Sequence, residues 1–389
     1  MAGAPSFPLK LLNQPSAKRL EYFKNHTVCH PQLREIDERL WRTIHTQIED
    51  TIVFVFGPPG VGKTTLCGRI YKRLLREAST YKQHDKNRHA AALQIEADAP
   101  DTGNFNWRDF YKRALATLEE PFVAHIGKEA LPPINHRLAR ALTYSPRLEY
   151  CEFRLGLEHA LRSRRPAAFL IDDAQHIAKM ASGRRLQDQM DVLKSIARKS
   201  RTLFVMLGTY ELLNFRNLSG QLSRRSVDLH FPRYRTSTKD VQVFNSVLLN
   251  FQCRLPLKIQ PDLIKYWEYC YVHSVGCVGI LKDWLTRALD EALDENARTI
   301  TIKMLERHAL SSDQCETIAM EALEGEARLE SHRGASTKLL QMLGFKKITS
   351  PTGQSQTKPE ESSEITSLQT NLKVDSRRVG RRKAKRDPV

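Results

Sequence analysis

The sequence predicts an α/β protein: a parallel sheet with helices on both faces, then a small all-helical domain, then a disordered C-terminal tail. Three observations carry this. Short apolar, β-rich runs at 51–56, 91–95, 167–171 and 202–207 alternate with helical stretches, the pattern of a parallel sheet. After Pro261 such runs stop, and 261–273, 279–294, 301–310 and 312–331 read as helices broken at Gly276 and Gly279. From Thr349 onward the chain is rich in Ser, Thr, Gln and Pro and nearly free of large apolar side chains.

In chain order, residues 1–30 read as a polar, irregular N-terminal extension with Pro5, Pro8 and Pro15 as breakers. A core at 31–254 opens with a helix from Pro31 to about Glu49, because Leu33, Ile36, Leu40, Ile44 and Ile48 fall on one face. The run at 51–56 is apolar throughout, as suits a strand buried on both faces. The helical domain spans 255–347 and the tail 348–389. The tail ends in the basic cluster 376–386, which is free to find a partner.

The 389 residues hold 61 Lys and Arg against 44 Asp and Glu, a net charge of +17 that favours a polyanionic partner. No apolar run approaches the ~18 residues of a membrane span. The first residues lack the order of a signal peptide. Seven cysteines, an odd number without a C-x-x-C pair, argue against a disulfide framework or a zinc ribbon. A reducing, soluble, intracellular setting is expected, with no membrane partner. No 20–50-residue repeat is visible, which disfavours solenoids and propellers.

Gly57-Pro58-Pro59-Gly60-Val61-Gly62-Lys63-Thr64-Thr65 matches G-x-x-x-x-G-K-[ST] between a strand and a helix. The glycines let backbone N–H groups turn toward phosphate oxygens, and the helix N-terminus adds its positive end. Lys63 is expected to reach the β- and γ-phosphates, and the Thr64 hydroxyl to ligate Mg²⁺.

The partner strand ends in Asp172-Asp173. Asp172 is expected to hold Mg²⁺ through water and Asp173 to polarise the attacking water; the alternative is a pair of helix-capping aspartates. Thr209, after the run at 202–207, stands where ligands meet strand ends, to bond the γ-phosphate or the water, or else is a plain turn residue. Arg224 and Arg225 suit a trans-acting arginine finger on a neighbour's γ-phosphate, or a solvated basic turn. The segment 276–282 opens a helix of the small domain, from which Lys282 is expected to reach back toward the nucleotide, or else to be a surface lysine.

Phosphate loop, Asp-Asp strand, polar strand end, paired arginines and helical lid, in that order, resemble an AAA+ ATPase. Within that group the segments 23–31, 172–177, 221–225 and 276–285 resemble the TnsC/TniB transposition ATPases of Tn-seven-like and CRISPR-associated transposons. The likeness covers roughly residues 20–330. The phosphate loop is common to many proteins; Asp-Asp-Ala-Gln-His and Gly-Cys-Val-Gly-Ile-Leu-Lys are far more selective.

The resemblance implies an AAA+ P-loop core with a helical lid and a bacterial, cytoplasmic protein that binds ATP and Mg²⁺. It implies assembly with itself into rings or filaments on double-stranded DNA, linking a target-selector protein or CRISPR guide complex to a transposase. On that analogy Lys63 and Thr64 bind the nucleotide and metal, Asp172 is the metal-side carboxylate, Arg224 or Arg225 the finger, and Lys282 the lid residue. Most relatives carry Glu where this chain has Asp173. One methylene less sets the carboxylate about 1.5 Å farther from the water, and misplacement of that order costs ~100-fold in rate. Either hydrolysis is slow and ATP acts chiefly as an assembly switch, or the backbone, Gln175 and His176 compensate.

Lys63 and Asp172 stand far apart in sequence for a compact ATPase, and the surplus around 96–150 interleaves aromatic and basic residues. Arg108, Lys112, Arg113, Arg137 and Arg140 are the candidates there for neutralising DNA phosphates. The ordinary reading is an amphipathic helix, 107–118, that buries Trp107, Phe110 and Leu118.

Two other functions fit the same core. A replication initiator or helicase loader usually carries a winged-helix reader after its lid, whereas the chain after 331 is expected to be disordered and so to leave no room for one. A nucleotide-gated signalling ATPase without DNA is opposed by the charge and the basic tail.

Overall fold

The computed structural model describes residues 7–46, 51–81, 91–100, 105–118, 146–178, 184–216, 226–333 and 342–343. Residues Met1–Arg333 form one compact unit; of the remainder, only 342 and 343 are described. The expected disorder of the tail and its basic cluster lie outside the described residues.

Five strands, β1 (Ile52–Phe56), β2 (Leu93–Glu96), β3 (Phe169–Asp172), β4 (Phe204–Gly208) and β5 (Ser226–His230), form one parallel sheet in the order β2-β3-β4-β1-β5. Strands β2, β3 and β4 each begin two residues later than the apolar runs suggested. Each strand's opening backbone bonds are made by residues outside the ladder, as where Ala167 N–H donates to the Ala91 carbonyl. The register pairs Phe56 with Gly208 and Ile171 with Met206, so β1, β3 and β4 end at one edge.

Alternate side chains face opposite sides of the sheet. On one face Phe54, Phe56, Phe169, Ile171, Phe204 and Met206 share a core with α4 (Trp107–Thr117), α5 (Pro146–Arg164) and α7 (Arg184–Ser200). On the other, Val53, Val55, Leu170, Val205 and Leu207 pack against α2 (Pro31–His45) and α3 (Lys63–Tyr81). Each large aromatic truncated here costs about 3–5 kcal/mol. The short helices α6 (Gln175–Ala178) and α8 (Leu213–Arg216) follow β3 and β4 closely.

Local sequence sets the helix starts. Pro31 occupies the first turn of α2, and the His30 ring before it accepts the Leu33 N–H (3.3 Å). Asn106 caps α4 through the Asp109 N–H, at about 1 kcal/mol for such a cap.

A third core takes no strand residue and is built mainly from helices. It joins α9 (Thr238–Arg254), α10 (Trp267–Ser274), α11 (Val278–Asp294) and α12 (Ile302–His308) around Phe244, Phe251, Leu281 and Trp284. It therefore draws on residues before 255, since Phe244, Val247, Leu248 and Phe251 all lie in α9. The N-terminal segment expected to be irregular also joins it. Pro15 precedes α1 (Ser16–Asn25), and Phe23 of that helix is completely buried in the helical core. Leu20, one turn earlier, packs against the same core, but Leu20 and Phe23 in a ten-residue polar helix leave little periodicity to read.

The last helix, α13 (Ser312–Arg333), lies across the strand ends. Its Glu326, buried, pairs with Arg233 (3.1 Å) and Arg235 (3.3 Å) just past β5. No described helix is long and apolar enough to cross a membrane, and all seven cysteines are free.

Candidate nucleotide-binding site

The edge where β1, β3 and β4 end carries the phosphate loop, Asp172, Asp173 and Thr209 of the residues that the sequence singled out. Gly57 leaves β1 with its N–H donated to the Gly208 carbonyl (3.3 Å), and the loop curls through Gly60 (φ +69°) and Gly62 (φ +111°) into α3. Those left-handed angles favour glycine. Lys63, the first residue of α3, is 8% exposed and donates to the Gly57 (3.1 Å) and Pro58 (2.8 Å) carbonyls. Burial lowers its pKa to about 8, against the opposing pull of Cys277, Asp172 and Asp173. An ammonium whose hydrogen bonds among the described residues go to neutral carbonyls, with its charge penalised by burial, is a site prepared for an anion.

Asp172 ends β3, buried, with its carboxyl pKa raised by desolvation and opposed by a hydrogen bond from Thr64. The metal-side pair expected from sequence is thus in contact, and the exposed Thr64 hydroxyl beside a carboxylate suits a hard cation that keeps its waters. No group of three or more His, Cys, Asp or Glu among the described residues is placed to hold a metal alone.

Asp173 turns into the left-handed region (φ +48°) and donates its N–H to Asp172 Oδ1 (3.1 Å). It does not start a helix as a capping residue. Thr209 follows β4, and its hydroxyl oxygen is buried without a hydrogen-bond partner among the described residues. Such an orphan normally costs stability, and at the mouth of a phosphate loop it fits a phosphate oxygen or a water. Gln175, whose role the sequence left open, bonds both Asp173 and Thr209.

Beside the loop lies a cavity of about 410 Å³, walled by His26 and Val28 of the N-terminal segment, Val61 and Thr65 of the loop and α3, and Gly279 and Lys282 of α11. That volume falls in the range of small-molecule sites. The lid closes directly on the loop: the Gly279 N–H donates to the Gly60 carbonyl (2.7 Å), and a Cβ on Gly279 would stand 2.4 Å from that oxygen. His30 braces the same wall. Its Nδ1 accepts the Leu33 N–H and lies 2.9 Å from Tyr234 Oη, and burial lowers its pKa to about 4.

Lys282 lines the cavity, yet its ammonium donates to the Phe23 carbonyl and sits 3.7 Å from the centre of the Phe23 ring. It therefore fastens α1 to α11 rather than standing as a free lid lysine, and burial lowers its pKa to about 8.

The basic candidates near α4 are distributed differently. Trp107, Phe110 and Leu118 are buried, as in the ordinary amphipathic reading, together with Tyr111, Ala114 and Leu115. Arg113 is engaged by Asp98 (2.7 Å), Asp109 (2.7 Å) and the Glu96 carbonyl. Lys112 lies 5.0 Å from the Phe153 ring centre, and Arg108 is exposed. Arg137, Arg140, Arg224 and Arg225 lie outside the described residues.

Residues 47–215 match the family described as "AAA domain". With the parallel sheet and the helices that follow, this is the AAA+ P-loop fold expected from sequence. No curated protein matches the chain in sequence. Among solved structures it is similar to the Aeropyrum pernix ORC2 protein in ADPNP–ADP complexes, at 15% identity and a TM-score of 0.47 over 76% of this chain and 71% of that one. It is also similar to the A. pernix ORC1 protein in complex with DNA, at 17% identity and TM-score 0.47 over 76% and 68%. Drosophila ORC bound to DNA gives 18% identity and TM-score 0.42 over 79% and 68%.

Proposed function

We propose that the chain is an ATP-dependent switch that binds Mg²⁺·ATP at the phosphate loop, assembles with copies of itself on duplex DNA, and regulates transposition. The observation that carries the nucleotide reading is the convergence of a buried, under-neutralised Lys63, the Thr64–Asp172 pair and the orphaned Thr209 hydroxyl at one sheet edge. Lys63 and the loop N–H groups hold the triphosphate, and Thr64 with Asp172 hold Mg²⁺, which when bound neutralises charge on the phosphates. Asp173 and Thr209 face the terminal phosphate and hold the attacking water. The cavity between α11 and residues 26–30 takes the base and sugar.

The excess of positive charge and the segments that resemble TnsC/TniB regulators support a DNA-bound assembly. In it Arg224 or Arg225 reaches a neighbour's nucleotide, and the partners are a transposase and a target selector. A gel shift on unrelated duplexes, with and without a non-hydrolysable ATP analogue, tests this. Nucleotide-dependent shifts that collapse as salt rises are expected. Nucleotide binding with no DNA shift at low salt would leave a triphosphate switch acting through protein contacts alone. A shift confined to one specific duplex would indicate a sequence reader instead. Electron microscopy of the complex reports directly on ring or filament formation.

A further inference from the structure

Gln175 occupies a position that the phosphate loop, the metal pair and the cavity do not use. It is 8% exposed, at the start of α6, two residues past the carboxylate assigned to the attacking water. Its Nε2 donates to Asp173 Oδ1 (3.1 Å), and its Oε1 accepts the Thr209 N–H (3.2 Å). A carboxylate only accepts and a backbone N–H only donates, so one orientation of the amide satisfies both. The bridge joins the turn after β3 to the end of β4.

The space around it is closed. A Cβ on Gly208 would stand 2.5 Å from Gln175 Oε1 and 2.9 Å from Leu212 Cδ1, so the glycine that ends β4 leaves room for this amide. The backbone of the turn is fixed as well, by Ala174 N–H on the Leu207 carbonyl (2.8 Å) and His176 N–H on the Asp173 carbonyl (3.0 Å). What stays adjustable is the Asp173 side chain. The Gln175 amide takes one of its oxygens and leaves the other for water.

We propose that Gln175 is a positioning residue that sets the Asp173 carboxylate and the Thr209 strand end as one unit for hydrolysis. This rests on the ATPase reading above. A short carboxylate on a left-handed turn reaches its water only if held at one angle, and a charge-assisted bond from a buried amide supplies that restraint. A residue that served packing alone would need no donor toward Asp173.

The test uses the full chain and four single variants: Gln175→Met, Gln175→Glu, Gly208→Ala and Asp173→Ala. Gln175→Met is expected to lower kcat about 10- to 100-fold while KM and the Kd of a fluorescent ATP analogue stay within about twofold. Gln175→Glu keeps size and the acceptor for Thr209 but loses the donor, and is expected to lower kcat at least as far. Gly208→Ala displaces the amide without altering it and reproduces the Gln175→Met effect. In an Asp173→Ala background, Gln175→Met is expected to add nothing.

A readout independent of turnover is amide exchange at 208–210 in nucleotide-free protein. It should quicken in Gln175→Met, which loses the acceptor, and not in Asp173→Ala. Turnover of Gln175→Met within twofold of wild type, or additive losses with Asp173→Ala, overturns the proposal and leaves the ATPase reading standing. Absence of turnover by wild type at saturating Mg²⁺·ATP overturns the hydrolytic role of Asp173, and this proposal with it, whereas absence of nucleotide binding overturns the whole ATP reading.

Discussion

At the phosphate end of the cleft, residues 57–65 supply loop, lysine and hydroxyl in one unbroken stretch, and the strand ends that face them are fixed by sheet register. At the other end the cavity wall is shared by residues 26–30, α3 and α11, and one of its fastenings, Lys282 to Phe23, joins groups 259 positions apart. One end is local and made of backbone; the other is tertiary and made of side chains. The difference implies that the phosphate end should fail by loss of charge with the fold intact, and the base end by loosening of the fold itself.

The largest effect expected tests the first half of that statement. Lys63→Ala removes the cation at the loop and should weaken nucleotide binding about 100-fold or more, with little change in thermal unfolding. Equilibrium binding of a fluorescent nucleotide and a melting curve measure the two. A large fall in melting temperature would show that the phosphate end is structural too.

Acid should act on the opposite end. His30 is held neutral by burial, which lowers its pKa from the ordinary 6.5 to about 4. Its contribution is complete above pH 6.5 and is lost as pH falls toward 4, by about 3 kcal/mol in total. Denaturant unfolding at pH 7, 5.5 and 4 should show it. A variant with Asn in place of His30 should lose most of this dependence.

Gly279→Ala strikes the seam between the ends. Its Cβ would meet the Gly60 oxygen at 2.4 Å, so the lid must lift from the loop. Roughly 1–3 kcal/mol of stability should go, and nucleotide affinity should fall with it. Unchanged affinity would mean that the two ends work independently.

The smallest effect separates the ends by pH. Free Lys63, with its pKa lowered to about 8, is largely neutral at pH 9, and bound phosphates must restore its proton. Affinity should therefore fall up to about tenfold per unit above pH 8, with proton uptake visible by calorimetry in buffers of different ionisation heat. Below pH 8 the dependence should flatten.

The same contrast explains what could be read without coordinates. The phosphate loop, the Asp172–Thr64 pair and the sheet were legible because each depends on neighbours in sequence or on strand alternation. α1 was not, because its apolar side is only Leu20 and Phe23, and the partners of Phe23, Phe251 and Lys282, lie in α9 and α11. Nor was the Gln175 bridge, since nothing local says that the Thr209 N–H lies above it. For Arg113 the amphipathic pattern was right, yet its ion pairs with Asp98 and Asp109 depend on how β2 meets α4.

The fastening of α1 to α11 bears on timing. The cavity wall takes Lys282 from α11 and His26 and Val28 from the segment after α1, so a ligand seated there touches two distant stretches of chain that the Phe23–Lys282 contact holds together. Loosening that contact is then expected to shorten the residence of any ligand held there, the quantity that a stopped-flow chase of a fluorescent nucleotide would read.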